Sequence, residues 1–220
     1  MGKIGVLLSG CGVYDGSEIH EAVLTMLHLD QAGQEIVALG PNILQTEVIN
    51  HLSQEEIKRE NRDLLVEAAR IARGDIQSLS EVDASSLDAL ILPGGAGATK
   101  NLTNYALMQD ECKINREVKE IIVQMINDQK PIGAICISPL VVAKALADAD
   151  YKPKLTVGID CEAAQYIEEL GAEHVETKVD EIVVDEELKI VTTPAYMLAD
   201  SISEVDIGVK KLVDSVINLL

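Results

Sequence analysis

Short apolar runs alternate with longer stretches of helical spacing along this chain. Residues 4–9 form an apolar run suited to a strand buried on both faces, residues 17–32 repeat apolar positions at helical spacing, and residues 35–39 form a second strand. This is a β-α-β opening, and Gly33 follows its helix as a stop. Residues 60–73 place Leu64, Leu65, Ala68, Ala69 and Ile71 at helical spacing before Gly74, whereas residues 45–56 carry neither period.

The second half continues the alternation. Residues 87–92 predict a strand ending in Pro93-Gly94-Gly95, followed by a helix over 114–128, a strand over 131–135 and a helix over 138–149. A short strand over 156–159 and a helix over 161–170, ended by Gly171, come next. Residues 182–185 and 189–193, separated by Glu186 and Glu187, predict a hairpin before a closing helix over 204–219. With no repeat, linker or composition break, residues 1–220 read as a single domain. The expected fold is α/β, a three-layer sandwich with a mostly parallel sheet. Ligands bind such sheets beyond the carboxyl ends of the strands, so the loops after Leu8, Leu92 and Ile135 are the places to look for chemistry.

Composition narrows the classes. The core is aliphatic, since the chain has no Trp or Phe and five Tyr. A formal net charge of -19 repels phosphate backbones and anionic lipid, which argues against nucleic-acid and membrane partners. Cys11, Cys112, Cys136 and Cys161 form no CxxC pair and lack nearby His at zinc-site spacing, so neither a disulfide framework nor a metal site is expected. Met1 leads directly into an apolar strand without a basic leader, and no run reaches the roughly twenty apolar residues of a membrane span. A cytoplasmic location is the expectation, which makes the Asn101-Leu102-Thr103 glycosylation match a coincidence.

Two glycine-rich loops resemble nucleotide-binding motifs and fail in detail. In Gly10-Cys11-Gly12-Val13-Tyr14-Asp15-Gly16 the third Gly is one residue late for a dinucleotide fingerprint, and the second strand ends in Gly40-Pro41 without the acid that would hold a ribose. In the loop 94–101, Thr99 replaces the second Gly of a P-loop and Asn101 replaces the magnesium-binding hydroxyl. That loop remains a source of backbone amides for an oxyanion, or a plain turn into a helix. The segment Gly133-Ala134-Ile135-Cys136-Ile137-Ser138-Pro139 runs from strand to Cys136 to helix without a linker, the setting of a nucleophile elbow. A thiol there lies near helix amides, which predicts a depressed pKa.

The opening from Lys3 to Glu21, the Leu92-Pro93-Gly94-Gly95 loop, the Cys136 segment and the stretch Ile190-Val191-Thr192-Thr193-Pro194-Ala195-Tyr196-Met197 together resemble the ThiJ/PfpI family. Within it, the likeness is to bacterial amidotransferase-like proteins linked by name to isoprenoid biosynthesis, and it spans essentially the whole chain. The resemblance implies a class I glutamine amidotransferase-like, flavodoxin-like fold, with Cys136 as nucleophile and a carboxyl from the first helix beside it. Glu21 matches that carboxyl, with Glu18 one turn earlier as the alternative. His20 adjoins both, although neighbours on a helix point about 100° apart.

Gly94, Gly95, Ala96, Gly97, Ile137 and Cys11 complete the expected substrate and oxyanion-binding set. Cys11 is alternatively a loop-packing residue or a redox partner. Peptidase-like members carry His directly after the nucleophile, and this chain has Ile137, which argues against peptide hydrolysis. The resemblance implies a homodimer and a cofactor-free, glutathione-independent lyase that converts a small dicarbonyl or aldehyde, glyoxal, to glycolate. The alternative is a catalytically silent binding or redox-responsive protein that uses the same cysteine.

Overall fold

The structure is a computed structural model and describes residues 1–108, 111–149 and 151–220. In chain order its elements begin with β1 (Lys3–Leu7), α1 (Ile19–Gln31), β2 (Glu35–Gly40), β3 (Ile49–Asn50), β4 (Glu55–Glu56), α2 (Leu64–Ile71) and β5 (Gln77–Ser78). Then come β6 (Ala89–Leu92), α3 (Tyr105–Met108), α4 (Arg116–Asn127), β7 (Ile132–Ile135) and α5 (Pro139–Leu146). The chain closes with β8 (Lys154–Leu155), α6 (Glu162–Glu169), β9 (Glu173–His174), β10 (Val183–Asp185), β11 (Ile190–Thr193) and α7 (Ile202–Asn218).

Seven strands form the central sheet in the order β10-β11-β7-β6-β1-β2-β5. Every neighbouring pair is parallel except β10 with β11, the hairpin expected from the sequence. The central strands β6 and β7 are buried on both faces, as their unbroken apolar runs require. Side chains alternate between the two faces. Leu90 and Leu92 pack with Val118 and Ile122 of α4 and Leu140 of α5, while Ala89 and Ile91 pack with Val205, Val209 and Leu212 of α7. Helices α4, α5 and α6 thus cover one face, and α1, α2 and α7 the other. The α7 layer lies close: a Cβ at Gly133 would stand 2.8 Å from Leu212 Cδ2.

Three expectations move. The strand expected over 156–159 is instead Lys154–Leu155, paired with β9 in a separate two-stranded sheet. The Thr156 amide leaves the ladder for Thr192 Oγ1 at 2.9 Å, and Gly158 at φ 109° turns the chain away. The helix expected from residue 60 starts at Leu64, because Asp63 caps it by accepting the Val66 amide at 3.0 Å. The helix over 138–149 is α5 followed by a 3-10 turn, Ala147–Ala149.

The segment without a period, 45–56, is a strap over the loop 10–16. The Ile49 amide bonds Asp15 Oδ2 at 2.7 Å, the Gln45 amide group donates to the Asp15 carbonyl at 3.1 Å, and the Thr46 amide bonds Asn101 Oδ1 at 2.9 Å. Asn101 in turn donates to the carbonyls of Ser9 and Asp15, so one buried side chain joins three loops. Among the described residues no helix is long and apolar enough to cross a membrane.

Candidate active site

Strand β7 ends at Ile135, and Cys136 follows at φ 61°, a left-handed conformation that costs a non-glycine residue about 1–3 kcal/mol. The surroundings hold it there. Its amide donates to the Thr193 carbonyl at 2.9 Å, the Ser138 amide closes the turn on the Ile135 carbonyl at 3.0 Å, and Pro139 opens α5. The Ser138 hydroxyl, fully buried, donates to the Pro93 carbonyl at 2.7 Å and so ties the elbow to the glycine-rich loop.

Helix α1 delivers the acid. Glu18 sits outside the helix as its cap, with the side chain accepting the Glu21 amide at 2.8 Å. Glu21 lies in the first turn, is 0% exposed and shares a hydrogen bond with the Cys136 thiol. Its Oε2 accepts the Gly94 amide at 2.9 Å and its Oε1 the Tyr196 amide at 3.4 Å. Only glycine suits position 94: a Cβ there would stand 2.5 Å from Cys136 Cβ and 2.7 Å from Glu21 Oε2.

Burial is the main electrostatic fact. It pushes the Glu21 carboxyl from 4.5 to about 8, helped by the charge of Glu18 and opposed by the bonds from Cys136, Gly94 and Tyr196. Cys136 is 7% exposed. Its thiol is pushed well above the usual range, first by burial and then by the charge and hydrogen bond of Glu21, against the pull of the Gly95 and Ile137 amides. The depressed thiol pKa expected from the elbow is therefore overturned, because desolvation outweighs the helix amides.

The two groups titrate as a pair, and after the first proton is lost one proton remains between them. That proton rests on sulfur or on Glu21. When it rests on Glu21, the carboxylate charge opposing the thiolate is gone, and two backbone amides face the sulfur.

The expected binding set is thus narrowed. Gly95 and Ile137 present amides to the sulfur, and the Gly94 amide serves Glu21. Ala96 and Gly97 are corrected: their amides are consumed by the carbonyls of Val13 at 2.8 Å and Gly16 at 2.9 Å, which leaves neither for an oxyanion. Cys11 is corrected too, since it sits beside Glu67, Arg70 and Asp15, on the α2 side, rather than with Glu21 and Cys136.

His20 points away from the thiol–acid pair. Its side chain is 51% exposed, with Nδ1 2.7 Å from the Tyr196 hydroxyl and 3.9 Å from Glu18 Oε1. Sequence reasoning missed Thr193, Tyr196 and Ser138. The first two lie at and just beyond the carboxyl end of β11, so the rule that singled out the other loops would have found this one as well. Among the described residues no three His, Cys, Asp or Glu side chains gather where they could hold a metal ion.

Comparison with known proteins agrees with this fold. Human glutamine amidotransferase-like class 1 domain-containing protein 3, mitochondrial, is 39% identical over 99% of this chain and 83% of its own length. The crystal structure of an isoprenoid biosynthesis protein with amidotransferase-like domain from Ehrlichia chaffeensis superposes with a TM-score of 0.91 at 38% identity, covering 99% of this chain and 100% of that one. The fold alone extends to glyoxalase III of Candida albicans, with a TM-score of 0.65 at 16% identity, covering 99% of this chain and 97% of that one. The DJ-1/PfpI family pattern matches residues 11–199, and the chain belongs to that family.

Proposed function

We propose that the protein is a cofactor-independent glyoxalase that converts glyoxal and water to glycolate through Cys136. The observation that carries this reading is the fully buried Glu21 carboxyl bonded to a thiol that also faces two backbone amides. A nucleophile, a proton carrier and oxyanion donors are then within one small site. Family membership and the fold shared with a glyoxalase III support it.

In the tautomer with the proton on Glu21, the Cys136 sulfur attacks one aldehyde carbon. The C=O π pair moves to oxygen, where the Gly95 and Ile137 amides meet it, and the Glu21 proton completes a hemithioacetal. Glu21, now a carboxylate, removes the hydrogen on that carbon as a proton, and the electron pair becomes the C=C bond of an enediolate with its charge on the second oxygen. Glu21 returns that proton to the second carbon while the hydroxyl proton of the first carbon passes to the second oxygen, which gives a glycolyl thioester. One carbon has been oxidised and its neighbour reduced, so no external electron acceptor is needed. Water then cleaves the C–S bond, releasing glycolate and restoring the thiol–carboxyl pair. With Cys136 7% exposed, the site favours a substrate of a few heavy atoms.

A second reading is a silent fold whose Cys136 is oxidised reversibly by peroxide to a sulfenic acid, but burial and the raised thiol pKa disfavour it, because that oxidation follows exposure and thiolate character. One experiment separates them: purified wild type, Cys136→Ser and Glu21→Gln are incubated with glyoxal, and glycolate is quantified by NMR. The glyoxalase reading expects glycolate from wild type alone. Equal glycolate from all three would sink it, and peroxide-dependent labelling of Cys136 would then support the second.

A further inference from the structure

The segment after β11 touches both halves of the thiol–acid pair. At its start the Thr193 carbonyl accepts the Cys136 amide at 2.9 Å, and three residues later the Tyr196 amide faces Glu21 Oε1 at 3.4 Å. Between them the chain passes through Ala195 at φ 43° into a 3-10 turn, Ala195–Met197. A left-handed alanine is unfavourable by itself, so contacts outside the turn must hold it. The Tyr196 side chain supplies one: its hydroxyl is 2.7 Å from His20 Nδ1, and the two rings lie 5.8 Å apart between centroids. His20 immediately precedes Glu21 on α1. Tyr196 therefore grips α1 twice, with its backbone on Glu21 and its hydroxyl on His20.

We propose that Tyr196 is a positioning residue for the Glu21–Cys136 pair. Its hydroxyl bond to His20 holds the turn against α1, so that its amide serves Oε1 of Glu21 while Oε2 stays with Gly94 on the sulfur side. The amide contact is long at 3.4 Å, and hydrogen bonds weaken steeply beyond that, so a small retreat of the turn removes it. Losing an N–H bond to a carboxylate disfavours its charged form. Glu21 would then hold its proton to higher pH, and the carboxylate charge that opposes the Cys136 thiolate would weaken.

The other titratable groups facing Glu21 are Glu18 from its own helix and Cys136 from the elbow. On α7, which packs along α1, Asp206 is engaged two turns away by His28 at 2.8 Å, and on α2 Glu67 and Arg70 face Cys11. The inference concerns the site of the proposed reaction, but its readout needs no turnover.

The test is iodoacetamide labelling of Cys136, located by mass spectrometry, across the pH range in which thiols titrate. Wild type is compared with Tyr196→Phe, His20→Ala, the double variant and Met197→Leu, each checked for folding by thermal melting. The expected result is a labelling midpoint lowered by about half a pH unit or more in both single variants, because a Glu21 that keeps its proton longer opposes the thiolate less. The double variant should move no further than the larger single, because both changes break one bond. Met197→Leu should overlay wild type.

A wild-type profile in either folded single variant, additive shifts, or an equal shift in Met197→Leu would overturn the proposal. Should Tyr196→Phe fail to fold, His20→Ala, at a half-exposed position, carries the test alone. Absence of glyoxal turnover in wild type would remove the proposed reaction and leave this measurement intact.

Discussion

The Gly94 amide donates to Glu21 Oε2 at 2.9 Å across a gap that any side chain at position 94 would fill. A Cβ would also stand 3.0 Å from the Ile135 carbonyl, so the strand end offers no room for retreat. Gly94→Ala must therefore separate Glu21 from Cys136. Overpacking of this kind costs about 1–3 kcal/mol. We expect a folded variant with at least a tenfold loss of glycolate formation, where about 1.4 kcal/mol in the barrier is tenfold. Wild-type rates would show that the pair need not be this close.

Position 95 does not offer an equally clean test. Gly95 has φ 98°, and a Cβ would meet the Glu18 amide nitrogen and the Gly16 carbonyl oxygen, both backbone atoms. A bulky replacement there damages the loop itself, so loss of activity would not isolate the oxyanion role.

Glu21 makes stability depend on pH. Its folded value of about 8 lies above the ordinary 4.5, so between these two the folded chain holds a proton that the unfolded chain has released. Stability from this group is complete below the unfolded value and falls as pH rises through the window, by roughly 1.4 kcal/mol per pH unit at most. Urea denaturation between pH 5 and 8 should show this decline, and Glu21→Gln should flatten it. Parallel pH profiles for the two proteins would contradict the buried-acid assignment. The same variant should lower glycolate formation by about 10²–10⁴-fold, as expected for loss of a general acid–base group.

Thiol reactivity should follow exposure. Cys161 is partly exposed and Cys136 buried, so at neutral pH a maleimide should label Cys161 first. Because the Glu21 carboxylate raises the Cys136 thiol, Glu21→Gln should move Cys136 labelling to lower pH. Peptide mapping of partially labelled protein reads both outcomes, and an unchanged or higher midpoint would show that the carboxylate does not oppose the thiolate.

Ser138 joins the elbow to the loop through its 2.7 Å bond to the Pro93 carbonyl. Ser138→Ala leaves that carbonyl without this donor and should cost about 1–2 kcal/mol. For a chain of this size the Tm should fall by roughly 2–8 °C. A calorimetric scan that overlays wild type would show that the bond contributes nothing measurable.

Much of this protein is determined by its sequence. The apolar runs at residues 87–92 and 131–135 are short and bounded by turn residues, which fits strands buried on both faces, and the helical spacings between them predict layers on either side. The passage from strand to Cys136 to helix identifies the elbow, because that order of elements depends on neighbouring residues alone.

Tertiary structure decided the rest. Glu18 and Glu21 are one turn apart, and Glu21 becomes the site acid because the packing of Ala22, Thr25 and Leu29 rotates its face inward while Glu18 is spent as the cap. The loop 94–97 offers four amides to the eye, and distant carbonyls at Val13 and Gly16 claim two of them. The thiol pKa rises where local sequence predicts a fall, since helix amides act from the next residues but desolvation comes from everything folded around the site. Which amide is free, which acid faces inward and how dry a thiol becomes are properties of groups far apart in the chain, and only their packing together determines them.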